Sequence, residues 1–203
     1  MAKLYYISQG DHLKNIKNVC EGGVKLVQLR VKELPFKACF QLALKVKEVC
    51  DSYGVTLIIN DNVELAGLVN AQGVHLGKSD RTPREARVIL GSDKIIGATA
   101  NTYEDCVALI GEKVDYIGLG PFRFTNTKQH LSPLLGLEGY RDILQKLKEN
   151  GYNTPVYAIG GIEKEDVEAL FKTNINGVAV SGILSGKTTA EIKTYNEYIS
   201  NCG

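Results

Sequence analysis

Short apolar runs alternate with amphipathic stretches along this chain. The clearest example is LIINDNVELAGLVNAQGVHLGKSD at residues 57–80, where the run at 57–59 stops before Asp61 and the run at 74–76 stops in a turn that ends at Asp80. A short helical pattern separates the two runs. Each run is too short for a lone helix and too apolar for a solvated loop, so each is predicted to be a buried strand. The stretch is therefore one strand–helix–strand unit with a carboxylate just past the end of both strands.

The same alternation covers the rest of the chain. Eight strands are predicted, at residues 4–7, 24–29, 57–59, 74–76, 94–98, 116–120, 156–159 and 178–180. Eight helices are predicted to follow them, at residues 11–20, 34–53, 63–69, 82–91, 102–112, 137–150, 164–173 and 188–199. Strands rich in Val, Ile and Leu without strict alternation are typical of a parallel sheet covered by helices. Eight such units favour an α/β fold of the (β/α)8 TIM barrel type over a flavodoxin-like open sheet, which needs fewer units.

Length and charge indicate the number of domains and argue against some classes of binding partner. With 203 residues, the chain is predicted to form a single barrel domain over 1–203, at the lower edge of the size range for this fold. A formal charge of +1 argues against a general role in binding nucleic acid or membrane surfaces. No segment approaches the roughly 20 apolar residues of a membrane span, and the start, MAKLYYIS, lacks the apolar run of a signal peptide.

Five cysteines are spread over the chain without a CxxC spacing, at Cys20, Cys39, Cys50, Cys106 and Cys202. Four of them fall in helical patterns, where they are interpreted as small core or boundary residues. An odd number of reduced thiols suits a cytoplasmic protein. The oligomeric state stays open, and a homo-oligomer is compatible with the sequence.

Polar residues cluster just past the predicted strand ends. In this barrel the active site lies at the carboxyl ends of the strands. The residues found there are Gln28, Arg30, Lys32, Asn60, Asp61, His75, Lys78, Asp80, Thr99, Asn101, Thr125, Asn126, Thr127 and Lys128.

Asp61 and Asp80, with an amide beside the first, are the hard oxygen ligands that Mg²⁺ accepts. Arg30, Lys32 and Lys128 supply positive charge at the same mouth. A metal held by two aspartates and surrounded by cations suits a diphosphate ligand. The alternative is that Asp61 caps the third helix and Asp80 belongs to the turn before the fourth.

Two glycine-containing turns follow the last strands, Gly160-Gly161 and Ser181-Gly182. Backbone N–H groups after strands seven and eight form a recurrent phosphate site in this fold, and glycine lets the backbone approach the anion closely. The alternative for each turn is a plain helix entry. The mouth is thus predicted to hold two phosphorylated groups, one with a metal and one without.

Three histidines and one long loop are the remaining candidates. His75 lies inside strand four, where it either packs or supports the ligand, whereas His12 and His130 are expected to face solvent. The loop at 121–136 is long for a compact domain, which usually indicates a functional loop. Whether it closes as a lid stays open.

Six motifs in order carry a resemblance to a known family: VQLRVKE, IINDNVELA, GVHLGKSD, GLGPFRFTNTK, YAIGGI and GVAVSGI. With these residues at the strand ends, nearly the whole chain resembles the thiamine phosphate synthases, the transferases that join the two halves of thiamine. The resemblance implies a (β/α)8 barrel enzyme that acts on small phosphorylated substrates with Mg²⁺.

The resemblance also implies roles for individual residues. Asp61 and Asp80 would hold Mg²⁺. The pyrimidine diphosphate would be bound by Gln28, Arg30, Lys32, Asn60, Thr99 and Lys128. The thiazole phosphate would be bound by Thr125, Asn126, Thr127 and the backbone at Gly161, Val180 and Ser181.

The implied reaction is a substitution at the pyrimidine methylene. Arg30, Lys32 and Lys128, as the catalytic cations, would stabilise the departing pyrophosphate together with Mg²⁺. The aminopyrimidine would stabilise the resulting cation, and the thiazole nitrogen would capture it. No general base is required, which agrees with the lack of an obvious catalytic dyad.

Some features leave alternatives open. A tautomerase-like branch of the family tends to lack the metal aspartates and to carry histidine after strand six, where this chain has Pro121. A non-catalytic barrel that binds phosphorylated ligands is the third reading. Thr99 replaces the usual serine, and strand eight looks one residue short, which leaves the register of Val180 and Ser181 open by one position.

Overall fold

Eight parallel strands close into a barrel in the computed structural model, which describes residues 2–32, 34–124 and 134–202. The strands are β1 (Leu4–Ile7), β2 (Leu26–Leu29), β3 (Thr56–Asn60), β4 (Gly73–Leu76), β5 (Ile95–Ala100), β6 (Tyr116–Leu119), β7 (Val156–Ile159) and β8 (Gly177–Val180). Each strand pairs in parallel with the next, and β8 pairs with β1. The predicted (β/α)8 fold is confirmed.

One helix follows each strand. The helices are α1 (His12–Glu21), α2 (Phe36–Ser52), α3 (Val63–Leu68), α4 (Pro83–Leu90), α5 (Tyr103–Gly111), α6 (Gly136–Glu149), α7 (Val167–Phe171) and α8 (Thr189–Asn201). Within the described residues, no helix has the length and apolar character needed to cross a bilayer.

Helix starts were the most predictable boundaries, because they depend on local capping. The Asp11 carboxylate accepts the Lys14 N–H at 3.2 Å, and Thr82 and Glu85 form a reciprocal capping box at the start of α4. The exception is the predicted helix at 164–173, which is divided into a 3-10 turn at Lys164–Asp166 and the shorter α7.

Several strand boundaries differ from the predicted ones by one or two residues, and two of these differences are informative. β8 begins at Gly177, so it has four residues and is not short. A Cβ at Gly177 would lie 2.6 Å from the Tyr157 ring, so the glycine makes room for a large neighbour on β7. β5 extends to Ala100, which places Thr99 inside the strand and not beyond it.

The barrel interior is filled by residues that alternate along the strands. Tyr5, Tyr116 and Tyr157 meet there with their rings edge-on, at centroid distances of 5.5–5.8 Å. Gly97 is needed beside them, since a side chain at this position would overlap the Tyr116 ring. The opposite strand faces and the helices enclose the larger outer core.

All five cysteines lie in described parts of the chain and are free thiols. Cys20, Cys50 and Cys106 are fully enclosed between helices and barrel, and Cys39 is half-buried on α2. The interpretation of the helical cysteines as core and boundary residues is confirmed.

Candidate active site

The carboxyl ends of β2 to β5 bring most of the predicted polar residues to one mouth of the barrel. Asn60 pairs in register with His75, and Gln28 pairs with Ile58 on the same side of the sheet. Because side chains alternate along a strand, Gln28, Asn60, His75 and Thr99 continue the inward rows of the barrel. They therefore form a polar layer above the tyrosines.

Asp61 stands directly after β3 in a left-handed backbone conformation, with φ of 62°. Aspartate and asparagine tolerate this region better than most residues. The Asp61 N–H donates to the His75 carbonyl at 2.8 Å, which ties the turn to β4. The cap of α3 is Asn62, whose side chain accepts the Leu65 N–H at 2.8 Å. The reading of Asp61 as a helix cap is wrong, and its carboxylate is left to face the mouth.

Asp80 does belong to the turn after β4. Its Oδ2 accepts the Gly77 N–H at 2.7 Å. That bond fixes the carboxylate beside Asp61, whose pKa it helps to raise. Asp80 can therefore both close the turn and bind a metal, because the turn orients its carboxylate.

The two carboxylates form a strained electrostatic pair. Burial, reinforced by neighbouring Asp80, raises the pKa of Asp61 to about 6, while Arg30 opposes the increase. Asp61 is exposed as a residue, so solvent screens part of this effect. A cation between the two carboxylates would relieve their repulsion. In the described ranges, no group of three His, Cys, Asp or Glu residues suits a metal; two carboxylates alone leave positions for phosphate oxygens and water, which fits Mg²⁺.

Arg30 lies at the end of β2, half-buried and facing Asp61. Burial lowers the pKa of its guanidinium and Asp61 raises it, but an arginine stays charged throughout the neutral range. Its backbone N–H donates to Ser8 Oγ at 3.1 Å, and Ser8 Oγ is 2.9 Å from His12 Nδ1. His12 is therefore half-buried and hydrogen-bonded, so the expectation that it faces solvent holds only in part. Lys32 is exposed two residues further on.

A chain of hydrogen bonds crosses the barrel beneath this mouth. Gln28 Nε2 donates to Tyr5 Oη at 2.7 Å, and Tyr5 Oη lies 2.9 Å from Tyr116 Oη. His75 Nδ1 is 3.0 Å from Tyr116 Oη, and its Nε2 is 3.0 Å from Thr99 Oγ1. Burial raises the pKa of both phenols, so they stay neutral. The chain thus connects Gln28 and Thr99, two of the residues predicted to bind the pyrimidine diphosphate.

Sequence reasoning missed Tyr5 and Tyr116 and left His75 undecided. The alternation of side chains along a strand contained a signal, because residues two positions apart share a face. Tyr5 and Ile7 share the inward face of β1, and Tyr116 and Gly118 share the inward face of β6. A Cβ at Gly118 would lie 3.0 Å from the His75 ring. Inward glycines next to inward aromatic residues indicate such packing.

On the other side of the mouth, the turn after β7 is built from backbone. Gly160 and Gly161 have φ of 94° and 69°, and a Cβ at Gly160 would lie 2.7 Å from Pro121. Val180 ends β8 with its side chain in the outer core, so it can offer only backbone to a ligand. The Ser181 carbonyl accepts the N–H groups of Leu184 and Ser185, both at 3.1 Å, so a tight turn begins at Ser181.

Four predicted site residues, Thr125, Asn126, Thr127 and Lys128, lie outside the described residues, as does His130. Both flanks of the loop that carries them are tied to the mouth. Phe122 N–H donates to the Ile159 carbonyl at 3.0 Å, and Leu135 N–H donates to the Pro121 carbonyl at 3.1 Å.

Comparisons with known proteins agree with this architecture. A family model described as thiamine monophosphate synthase matches residues 4–184. The thiamine-phosphate synthase of Flavobacterium johnsoniae is 52% identical over 187 residues, covering 90% of this chain and 88% of that protein. The thiamine-phosphate synthase of Clostridium tetani is 39% identical over 192 residues, covering 91% of this chain and 88% of that protein. A solved structure of thiamine phosphate pyrophosphorylase from Pyrococcus furiosus superposes with a TM-score of 0.84 at 27% identity, covering 97% and 96%. The resemblance seen in the six motifs is confirmed, and the chain belongs to the thiamine monophosphate synthase family.

Proposed function

We propose that this protein condenses hydroxymethylpyrimidine diphosphate with hydroxyethylthiazole phosphate, giving thiamine phosphate and pyrophosphate with the help of Mg²⁺. Membership of the family makes the chain an enzyme of this class. The observation that carries the proposal is the meeting of Asp61 and Asp80 beside Arg30 at the barrel mouth. A carboxylate pair that can hold a metal, beside a guanidinium that can bind phosphate oxygens, suits a metal-bound diphosphate.

Asp61 and Asp80 would hold the metal, and the Asn60 amide stands next to it. When bound, Mg²⁺ would neutralise charge on the diphosphate and so favour its departure. Arg30 and Lys32, with Lys128 from the loop, would bind the phosphate oxygens and stabilise the charge that collects on the leaving group. The C–O bond to the methylene breaks with its electron pair on pyrophosphate.

Gln28 and Thr99 would orient the pyrimidine. Their positions are fixed from below by the hydrogen-bonded chain through Tyr5, Tyr116 and His75. The thiazole phosphate would lie on the backbone of the opposite wall, which aims the thiazole nitrogen at the methylene. Holding two reactants in this way is worth about 7–11 kcal/mol of barrier. Because the new C–N bond forms without removal of a proton, none of these residues needs to act as a base.

The thiazole phosphate would be bound by the backbone at Gly161, Val180 and Ser181, with Thr125, Asn126 and Thr127 from the loop. Gly161 lies two residues after the end of β7 and Ser181 directly follows β8, and these two strands are neighbours in the barrel. Backbone N–H groups after these two strands are a recurrent phosphate site in TIM barrels.

We also propose that residues 1–203 form one domain that works in the cytoplasm. Helix α8 returns to pack on α1 and β1, which supports a single unit. An odd number of thiols, most of them enclosed in the core, supports a reducing compartment.

The test is to incubate the purified protein with both substrates and Mg²⁺ and to measure thiamine phosphate by chromatography and pyrophosphate by a coupled assay. Equal amounts of both products, absent when either substrate or Mg²⁺ is omitted, are expected. Asp61→Asn should abolish turnover, whereas Asp93→Asn, an exposed aspartate in the turn before β5, should not. Isomerisation of the thiazole without pyrophosphate would point to a tautomerase, and binding without turnover to a regulatory barrel.

A further inference from the structure

Arg123 joins the segment after β6 to the turn after β7. Its Nη1 donates to the Gly161 carbonyl at 2.9 Å. The two guanidinium nitrogens also bind the two carboxylate oxygens of Asp166, at 2.6 and 2.9 Å. This forked geometry fixes the plane of the guanidinium as well as its position.

Both ends of this connection are themselves held. The Asp166 side chain is only 14% exposed, and its Oδ2 accepts the Glu163 N–H at 2.8 Å. The Arg123 backbone N–H donates to the Gly160 carbonyl at 3.0 Å, and the guanidinium carbon lies 5.0 Å from the centre of the Phe122 ring. Arg123 is thus held at its backbone and at its guanidinium group.

The turn that Arg123 holds has no side chains of its own to restrain it. Gly160 and Gly161 both adopt positive φ, and glycine moves readily between conformations. Their two carbonyl oxygens are bound by Arg123, one by its backbone and one by its guanidinium. These bonds define the orientation of both peptide planes.

The orientation of the peptide planes determines where the N–H groups point. In a trans peptide the N–H lies on the side opposite to the C=O. The N–H groups of Gly161 and Ile162 therefore point away from Arg123, and neither donates to an acceptor in the part of the chain that the structure describes. Two adjacent N–H groups presented together form a concave site for an anion.

We propose that Arg123 is a positioning residue for the phosphate of the thiazole substrate. It holds the Gly160-Gly161 turn so that the N–H groups face the phosphate, while its own guanidinium remains bound to Asp166. The inference rests on the proposed function. It assigns a role to Arg123 that neither the strand-end pattern nor the six motifs had suggested.

The experiment measures the dissociation constant for hydroxyethylthiazole phosphate by calorimetry, and KM for both substrates. In Arg123→Met, thiazole phosphate binding should weaken about tenfold, as for the loss of one charged hydrogen bond, while KM for the pyrimidine diphosphate changes less than about twofold. Asp166→Asn should also weaken binding, because it releases the guanidinium. If Arg123 touched the phosphate itself, that release would not weaken binding, and the positioning role would be refuted.

The matched control is Arg87→Met. Arg87 makes the same kind of connection elsewhere, with Nη2 2.6 Å from Asp115 Oδ2 and Nη1 3.2 Å from the Gly91 carbonyl. This variant should lose stability without a change in either substrate constant. If Arg123→Met does not fold, Arg123→Lys, which keeps the charge but loses the fork, should show intermediate affinity.

The possible results distinguish a failure of the inference about Arg123 from a failure of the proposed function. Unchanged thiazole phosphate affinity in Arg123→Met, or an equal loss of affinity for both substrates, would overturn the inference about Arg123 in an enzyme that still makes thiamine phosphate. A wild-type protein that makes no thiamine phosphate would instead overturn the proposed function.

Discussion

Replacing Asp61 by asparagine should make the metal-free protein more stable while abolishing its response to Mg²⁺. The substitution keeps the size of the side chain, and asparagine accepts the left-handed backbone of this position as readily as aspartate does. It therefore removes the charge of Asp61, which Asp80 repels and Arg30 attracts, and repulsion with burial outweighs the attraction. Most substitutions destabilise a protein, so a gain in stability would be a distinctive result.

The magnitude follows from the pKa of about 6 at Asp61. One pKa unit corresponds to about 1.4 kcal/mol, so the interval from an ordinary aspartate sets an upper limit of about 3 kcal/mol for the unfavourable environment of the charge. Because Asp61 reaches solvent, screening reduces this figure, and we expect a gain of about 1 kcal/mol in the free energy of unfolding.

The dependence on pH has a definite sign. Above the folded pKa of about 6, both folded and unfolded states carry the charge and the folded state bears the full repulsion. As the pH falls from about 6 to about 4, the folded wild type takes up a proton that the unfolded chain does not, so its stability rises. The advantage of Asp61→Asn should therefore be largest near pH 8 and disappear below about pH 4.

Urea unfolding in EDTA at several pH values, repeated with Mg²⁺, provides the measurement. Mg²⁺ should stabilise the wild type by mass action and leave Asp61→Asn unaffected. Asp93→Asn serves as the control and should differ from the wild type by less than about 0.5 kcal/mol. An Asp61→Asn protein that is less stable than the wild type at pH 8 without metal, or that gains as much from Mg²⁺, would refute the reasoning.

Two further substitutions test the interior of the barrel. Tyr116→Phe removes the hydroxyl between Tyr5 and His75, so it should cost about 1–3 kcal/mol of stability and raise KM for the pyrimidine diphosphate more than for the thiazole phosphate. Tyr195→Phe, whose hydroxyl is buried without a partner among the described residues, should cost nothing, and an equal loss in both variants would contradict the role of the chain. Gly97→Ala should destabilise by about 1–3 kcal/mol in thermal unfolding, because its methyl group would overlap the Tyr116 ring. Gly111→Ala, with open space around its Cβ, should not destabilise.

The fold was predictable because its signals are local and repeated. Each strand is a short apolar run and most helices begin at a side-chain cap such as Thr82, so an error at one boundary does not alter the number of units. The positions of Arg30, Asp61 and Asp80 followed from that number, since a closed parallel barrel brings all strand ends to one mouth. Topology thus brings these residues to the same mouth, whereas their exact contacts depend on local turns such as the one that Asp80 closes with Gly77.

The remaining features depend on residues that are distant in the sequence. Gly177 looks unsuited to a strand until the Tyr157 ring beside it is known. The contact between Tyr5 on β1 and Tyr116 on β6 crosses the barrel between strands that are not neighbours. Asn62 and not Asp61 caps α3, although both residue types are favoured at such positions. Pattern and propensity do not specify such contacts, because they follow from how the strands close.

The two walls of the mouth differ in how they could bind an anion, and this difference explains why Arg123 matters on only one of them. On the wall of β2 to β4, charged side chains stand on strand ends, and their positions are set by turns such as the one that Asp80 closes. On the wall of β7 and β8, the proposed ligands are backbone groups of glycine turns, which have no side chains to hold them. An anion site made of backbone needs an external support that is rigid and does not compete for the anion. The forked pair of Arg123 with Asp166 meets both requirements, since its positive charge is already matched by a carboxylate.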